Sequence, residues 1–99
     1  MKFAVLFEDA PDTASIRRRH LAAHLEFLKC NSQSIQAAGP LLGENAAPTG
    51  GLWLVNAETS DDVMQLVEQD PFWPTGLRQS VRIRQWVQVF ANGQVQTDS

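Results

Sequence analysis

The sequence contains one cysteine and no tyrosine, and its charged residues make up only 19% of the chain. A lone Cys30 excludes an internal disulfide framework and a cysteine-based zinc site. No apolar run approaches the roughly 18 residues that a membrane span requires. Residues 1–7 resemble the start of a signal peptide, but Glu8 and Asp9 interrupt them before a full apolar region forms. These absences predict a cytoplasmic protein without a membrane partner.

Positive charge is also scarce, since the formal net charge is −3 and the pI is about 5.2. An acidic chain without the aromatic signature of RNA-binding modules is not expected to bind nucleic acid, and only Arg82 and Arg84 favour such a partner. The length of 99 residues and the 43% hydrophobic content fit one globular domain. We expect that domain to occupy residues 1–91, followed by a turn and tail over 92–99.

Hydrophobic periodicity and turn residues predict six main elements in the chain. Alternation around Phe3, Val5 and Phe7 is typical of a strand. Asp12 or Thr13 is a candidate helix cap, and a capping box at Thr59 with Asp62 opens a second helix. The six main elements are a strand from residue 2, a helix over 14–31, a strand over 34–38 broken by Gly39-Pro40, a strand over 52–55, a helix over 60–69 ended by Pro71, and a strand over 80–91. Between them lie a loop over 41–51 and an aromatic loop over 71–76. A small extra strand over 94–96 follows an Asn92-Gly93 turn.

The predicted order β-α-β-β-α-β indicates an α+β, ferredoxin-like fold with a four-stranded antiparallel sheet. Its helices cover one sheet face, and the other face normally alternates with polar residues. Here Ala4 and Leu6 on the first strand, and Trp86 and Phe90 on the last, make that second face apolar. We expect a homodimer packed sheet to sheet, although a ligand groove across the sheet would use the same residues.

The first predicted helix carries a polar stripe inside the face that should be buried. At about 100° per residue, Arg17, His20 and His24 fall between two apolar flanks. Buried polar groups need partners, so either the stripe contains a satisfied core histidine and an arginine ion pair, or it borders a cleft. A His-x-x-x-His metal site is not expected, because no glutamate follows the first histidine and no third ligand is evident.

Asp70 is the second unusual residue, because it follows a predicted helix at its electronegative end. An Asp-Pro pair can simply begin a turn. Alternatively, the carboxylate holds a nearby cation such as a histidine of the first helix, an arrangement typical of a general base. The spacing alone leaves both interpretations open.

Four segments in the same order resemble the YCII-related (YciI-like) family over about residues 2 to 90. They are His24-Leu25-Glu26-Phe27-Leu28, Ala38-Gly39-Pro40-Leu41, Asp70-Pro71-Phe72 with Gly76-Leu77, and Val81-Arg82-Ile83-Arg84-Gln85-Trp86. The resemblance implies a dimeric ferredoxin-like α/β barrel. It also implies that His24 is a general acid/base, that Asp70 orients it, and that Gly39 and Pro40 shape the wall of a substrate pocket.

Two functions of different class follow from the resemblance. The first is a cofactor-free lyase or isomerase for a small molecule. In it Arg17 holds an anionic substrate group, Phe72 and Trp73 form apolar walls, and His20 is a second candidate for substrate contact. The second is a non-catalytic domain with the same cleft that binds a small metabolite or serves as an accessory domain, because a fold alone does not fix function.

Overall fold

A computed structural model describes residues 1–96 of the chain, so the last three residues of the predicted tail lie outside the described part. Neither helix within residues 1–96 has the length and apolar character needed to cross a membrane. In chain order the elements are β1 (Lys2–Asp9), α1 (Ala14–Cys30), β2 (Ile35–Leu42), β3 (Pro48–Asn56), α2 (Ser60–Gln69), a 3-10 turn (Trp73–Thr75), β4 (Arg78–Gln85), β5 (Phe90–Ala91) and β6 (Gln94–Val95).

The four long strands form one antiparallel sheet in the order β2-β3-β1-β4. Each helix connects two strands that are separated in the sheet by one other strand, which gives the ferredoxin-like arrangement. The predicted α+β class and sheet are therefore confirmed.

The core lies between the two helices and one face of the sheet. Phe3, Val5 and Phe7 alternate inward along β1, and Val5 pairs with Trp53 on β3. Val63 and Val67 of α2 cover this row and are fully buried, and Phe27 and Leu28 of α1 pack against it. Each fully buried side chain of this size contributes about 1.5–3 kcal/mol by leaving water, so the inward row specifies which sheet face the helices cover.

The two helix starts differ in how their free amides are satisfied. The predicted capping box is confirmed at α2, where the Thr59 hydroxyl accepts a hydrogen bond from the Asp62 amide at 3.1 Å. Thr13 occupies the cap position of α1, but its hydroxyl donates to the Ala10 carbonyl at 2.8 Å and accepts no bond from the helix. The predicted side-chain cap of α1 is therefore wrong.

β2 is longer than predicted and does not break at Gly39-Pro40. Pro40 pairs with Gly51 within the strand. Proline lacks an amide donor, but β2 is an edge strand, so no ladder hydrogen bond is lost on its open side. β3 likewise begins at Pro48, which shortens the predicted loop to residues 43–47.

The last predicted strand is interrupted. β4 ends at Gln85, and Phe90–Ala91 pair instead with Gln94–Val95 in a separate hairpin. Asn92 and Gly93 both have positive φ, 54° and 75°, as a two-residue hairpin turn of the predicted kind requires. Phe90 consequently lies outside the sheet, whereas Trp86 directly follows β4 and its amide still donates to the Lys2 carbonyl at 2.9 Å; both side chains are exposed.

The sheet face away from the helices remains partly exposed. Ala4 and Leu6 of β1 pair with Leu54 and Leu52 of β3, and all four are half-buried. This apolar face is the surface on which the predicted homodimer contact would form.

Candidate active site

The structure brings His24 of α1 and Asp70 together across 46 residues of sequence. His24 Nδ1 lies 2.9 Å from Asp70 Oδ1 and 3.0 Å from Oδ2. An ionised carboxylate only accepts hydrogen bonds, so Nδ1 carries a proton, and in the neutral imidazole the nitrogen without a proton is Nε2. Both side chains are nearly or fully buried, with 11% of the imidazole and none of the carboxylate exposed. A fixed tautomer of this kind is what a histidine general base requires.

Asp70 terminates α2 and is held in place by the chain that follows it. Its backbone is extended ahead of Pro71, which ends the helix. Oδ1 also accepts a hydrogen bond from the Phe72 amide at 3.0 Å. Asp70 therefore begins a turn and also accepts a hydrogen bond from His24, so the two interpretations of its sequence position are compatible.

Opposing effects act on the ionisation of Asp70. Burial by itself raises the pKa of Asp70, but the hydrogen bonds from His24 and from the Phe72 amide, together with the charge of Arg78, hold that pKa below its ordinary value of 3.8. The carboxylate is therefore ionised at neutral pH.

Arg78, at the start of β4, is a site residue that the sequence interpretation missed. Its Nη1 lies 2.8 Å from Asp70 Oδ2, and only 6% of its side chain is exposed. The guanidinium also lies over the Phe7 ring, with Cζ 3.8 Å from the centroid. Burial lowers the pKa of Arg78 while the carboxylates of Asp70 and Asp9 oppose that shift, and a guanidinium stays cationic in proteins.

Two aromatic rings pack against the imidazole of His24. Phe72 stacks on His24 with a centroid distance of 4.1 Å and an interplanar angle of 17°, and the Trp53 ring lies 6.5 Å away at an interplanar angle of 28°. Because the ring is held by stacking and by the carboxylate, His24 has little rotational freedom, and preorganisation of this kind favours proton transfer at one fixed point.

A second ion pair lies at the end of β1. Arg17 Nη2 donates to Asp9 Oδ2 at 2.7 Å, with 19% and 8% of the two side chains exposed. Asp9 is also the β1 residue directly opposite Arg78 in the sheet register. Nothing in the sequence pattern singled out Asp9, because a polar residue is common at the end of a strand.

Asp9, Arg17, His24 and Arg78 border a cavity of about 310 Å³ between α1 and the β2-β3 side of the sheet, and Asp70 lies behind its wall. Apolar residues from α1, such as Leu21 and Leu25, form much of its wall. The lining residues are Phe7, Asp9, Arg17, Arg18, Leu21, His24, Leu25, Leu28, Ala38, Gly39, Pro40, Pro48, Gly51, Trp53 and Arg78. The cavity therefore combines a largely apolar wall with cationic groups and one imidazole.

The other predicted site residues divide into two groups. Gly39 and Pro40 line the cavity. Phe72, Trp73 and His20 do not line it: Phe72 is buried behind His24, Trp73 lies on the exposed 3-10 turn, and His20 is half-buried one turn before His24. Phe72 stacks on the imidazole from behind, and the role of Phe72 and Trp73 as apolar walls for a substrate stays a prediction.

Within residues 1–96, no three histidine, cysteine, aspartate or glutamate side chains lie close enough together to hold a metal ion. The charged groups of the site form two sets of contacts, His24–Asp70–Arg78 and Asp9–Arg17, and Asp9 lies opposite Arg78 in the sheet register.

The fold and this site define a ferredoxin-like α+β domain with a buried His–Asp pair beside a small cavity. Residues 1–87 match the YCII-related domain, and the chain belongs to that family. A comparison with curated proteins gives no match.

Among solved structures the chain is similar to the 5-chloro-2-hydroxyhydroquinone dehydrochlorinase TftG from Burkholderia phenoliruptrix AC1100, in complex with 2,5-dihydroxybenzoquinone. The two sequences are 33% identical, and the match covers 88% of this chain and 94% of the dehydrochlorinase with a TM-score of 0.80.

Proposed function

We propose that this protein is a small-molecule enzyme of the lyase or isomerase type in which His24 is the general acid/base. The observation that carries the proposal is the hydrogen bond between His24 Nδ1 and the buried Asp70 carboxylate, beside a cavity that His24 itself lines. With Nδ1 occupied, Nε2 is the nitrogen that accepts a proton, and Asp70 stabilises the imidazolium that forms.

The proposed step balances without an added oxidant or cofactor. His24 Nε2 takes a proton from the substrate, and the electrons of the broken bond form a new double bond. In an elimination a leaving anion departs from the neighbouring carbon, and the imidazolium then returns its proton to that anion or to solvent. In an isomerisation the same proton is returned at another carbon.

The cavity favours a small, largely apolar substrate on which negative charge develops. Its walls are apolar, while the arginines Arg17, Arg18 and Arg78 outnumber the carboxylates Asp9 and Asp70, so negative charge that develops on the substrate is stabilised. The similarity to a dehydrochlorinase supports a halogenated or hydroxylated ring as the substrate class.

The decisive experiment measures chloride release and product absorbance with 5-chloro-2-hydroxyhydroquinone and a panel of related halophenols and lactones. We expect His24→Ala to lower turnover by a hundredfold or more, about the lower end of what a general base contributes. His20→Ala is the matched control, because it removes a histidine from the same helix that does not line the cavity.

Two results would contradict the proposal. Turnover that survives His24→Ala would show that another group moves the proton. Ligands that bind in the cavity while no member of the panel gives product would favour a non-catalytic domain that binds a small metabolite.

We further propose that two copies pack through the exposed sheet face. Ala4, Leu6, Leu52 and Leu54 supply its apolar centre. Sedimentation analysis of Leu6→Lys tests this contact, and we expect a shift from dimer to monomer, whereas Gln65→Lys on the exposed side of α2 leaves the dimer unchanged. A wild-type monomer at micromolar concentration would contradict it.

A further inference from the structure

Three consecutive arginines in α1 lie in different surroundings. Arg17 is half-buried and forms an ion pair with Asp9 at 2.7 Å. Arg18 is exposed and lines the cavity next to His24, whereas Arg19 is exposed and does not line that cavity. The difference follows from the turn of about 100° per residue, which carries Arg19 off the side of α1 that faces the cavity.

Arg18 carries a charge that no other side chain of the site compensates. The two other guanidinium groups of the cavity wall have carboxylate partners, Arg17 with Asp9 at 2.7 Å and Arg78 with Asp70 at 2.8 Å. Within residues 1–96 no carboxylate lies within 4.0 Å of Arg18. The cavity wall therefore has one surplus positive charge, and Arg18 carries it.

His24 and Arg18 occupy opposite ends of the part of α1 that lines the cavity. They are six residues apart, which corresponds to about 9 Å along the helix axis. His24 is buried, while Arg18 is exposed. Leu21 lies between them in sequence and also lines the cavity. The α1 wall therefore changes from an imidazole at the buried end, through an apolar side chain, to a guanidinium at the exposed end.

A second cavity of about 370 Å³ adjoins the first one at Arg18. It lies between the segment that joins β1 to α1 and the start of β3, and His24 does not line it. Asp12 lines only this second cavity, so an anion is favoured at the junction rather than farther inside. The residues that line both cavities are Asp9, Arg17, Arg18 and Pro48. A ligand that contacts His24 therefore has room to extend to Arg18.

We infer that Arg18 binds a carboxylate on a side chain of the substrate, while the reacting part of the substrate lies against His24. A guanidinium offers two parallel N–H donors to a carboxylate. At the exposed end of the cavity the carboxylate keeps part of its hydration, so the desolvation penalty of the ion pair is small. The inference rests on the proposed function and narrows its substrate class to acids whose charge lies several ångströms from the reacting carbon.

Binding experiments test the inference without turnover. The probes are benzoate, phenylacetate, 3-phenylpropionate and 4-phenylbutyrate, each compared with the neutral amide of the same length. NMR titrations of the folded protein follow the backbone amides of Gly39 and Gly51, which both line the first cavity. We expect the preference for acid over amide to increase with chain length and to reach about fivefold, the upper end for a partly exposed ion pair.

Two variants separate a specific contact from general electrostatic attraction. In Arg18→Gln the preference for the longer acids should fall to within about twofold. Arg19→Gln is the matched control, because it removes the same charge from the next residue, which does not line the cavity. The preference should persist in this control. Both arginines are exposed, so we expect both variants to fold, and amide spectra establish this.

Four outcomes would overturn the inference. The first is a wild-type protein that shows no preference for acids, including one that binds none of the probes. The second is a preference that survives Arg18→Gln, and the third is one that Arg19→Gln abolishes equally. The fourth is a preference that is the same for benzoate and for the longer acids, because it would place the charge near His24.

The inference and the proposed function can fail separately. Turnover that depends on His24, without a preference for acids that depends on Arg18, refutes the binding role of Arg18 alone. A preference that depends on Arg18, without product from any substrate, refutes the proposed catalysis alone.

Discussion

Asp9 and Arg78 face each other across β1 and β4 at the one irregularity in that strand pair. Glu8 pairs with Ser80, but Asp9 pairs with Arg78, so one residue of β4 is skipped. Because side chains alternate between faces, this bulge turns Arg78 to the same side as Val81 and Ile83. The bulge therefore places a cation behind Asp70 and beside the cavity.

Asp70→Asn should damage the site although it is isosteric. The carboxylate accepts hydrogen bonds from His24 and from the Phe72 amide and forms an ion pair with Arg78, whereas a carboxamide is uncharged and has a single acceptor oxygen. Leaving Arg78 as a buried charge without its counter-ion should lower the free energy of unfolding by about 3–5 kcal/mol. Urea denaturation measures this loss, and Asp61→Asn is the control, in which we expect a loss of at most about 1 kcal/mol because Asp61 only favours the first turn of α2.

The same variant should alter the tautomer of His24. Nitrogen-15 shifts of the ring report which nitrogen carries the proton, and we expect Nδ1 to lose its fixed protonation in Asp70→Asn. An unchanged ring spectrum in a folded variant would show that Asp70 does not orient the imidazole.

Acid should weaken the fold through Asp70. Its pKa is held below 3.8 in the native state, so the native protein binds fewer protons than the unfolded chain and stability falls as pH falls. The contribution is fully present above pH 3.8 and is lost as the pH falls through the lower native pKa. We expect the difference in unfolding free energy between wild type and Asp70→Asn to shrink below pH 3.8, and a difference that stays constant to pH 2 would contradict this.

Arg78 and Asp70 should be energetically coupled. Arg78→Met leaves Asp70 buried with less compensation, while the double variant with Asp70→Asn removes both charges together. We expect the double variant to be more stable than the sum of the single effects by about 0.5–3 kcal/mol, measured in a double-mutant cycle. Arg82→Met, on the exposed side of β4, should show additive behaviour with Asp70→Asn.

Any side chain at position 50 should lower the stability of the protein. A Cβ at this position would lie 2.2 Å from the Phe7 carbonyl oxygen, whereas a Cβ at Gly39 would meet nothing within 4 Å. We expect Gly50→Ala to cost about 1–3 kcal/mol of stability through displacement of β3 from β1. Gly39→Ala should be neutral or stabilising by about 0.5 kcal/mol in thermal denaturation. Equal melting temperatures for the two variants would contradict the close approach.

Local sequence determined most of the elements of this protein. The alternation of Phe3, Val5 and Phe7 fixed the inward face of β1, and the capping box with Pro71 fixed both ends of α2, because these signals act within a few residues. The helical spacing placed His24 and Arg17 on one stripe that does border a cavity. The position of Asp70 left its pairing with a histidine of the first helix as one of two interpretations, and only the family resemblance singled out His24.

Tertiary structure decided the features that depend on neighbouring strands. Gly39-Pro40 was predicted to break a strand, but the edge position of β2 removes the cost of the missing amide. Simple alternation assigns Arg78 to the outer face with Arg82 and Arg84, and only the bulge against β1 turns it inward. Sequence patterns report which face a residue occupies within its own strand, whereas a change in register is set by the partner strand, so the ion pairs behind His24 required the assembled sheet.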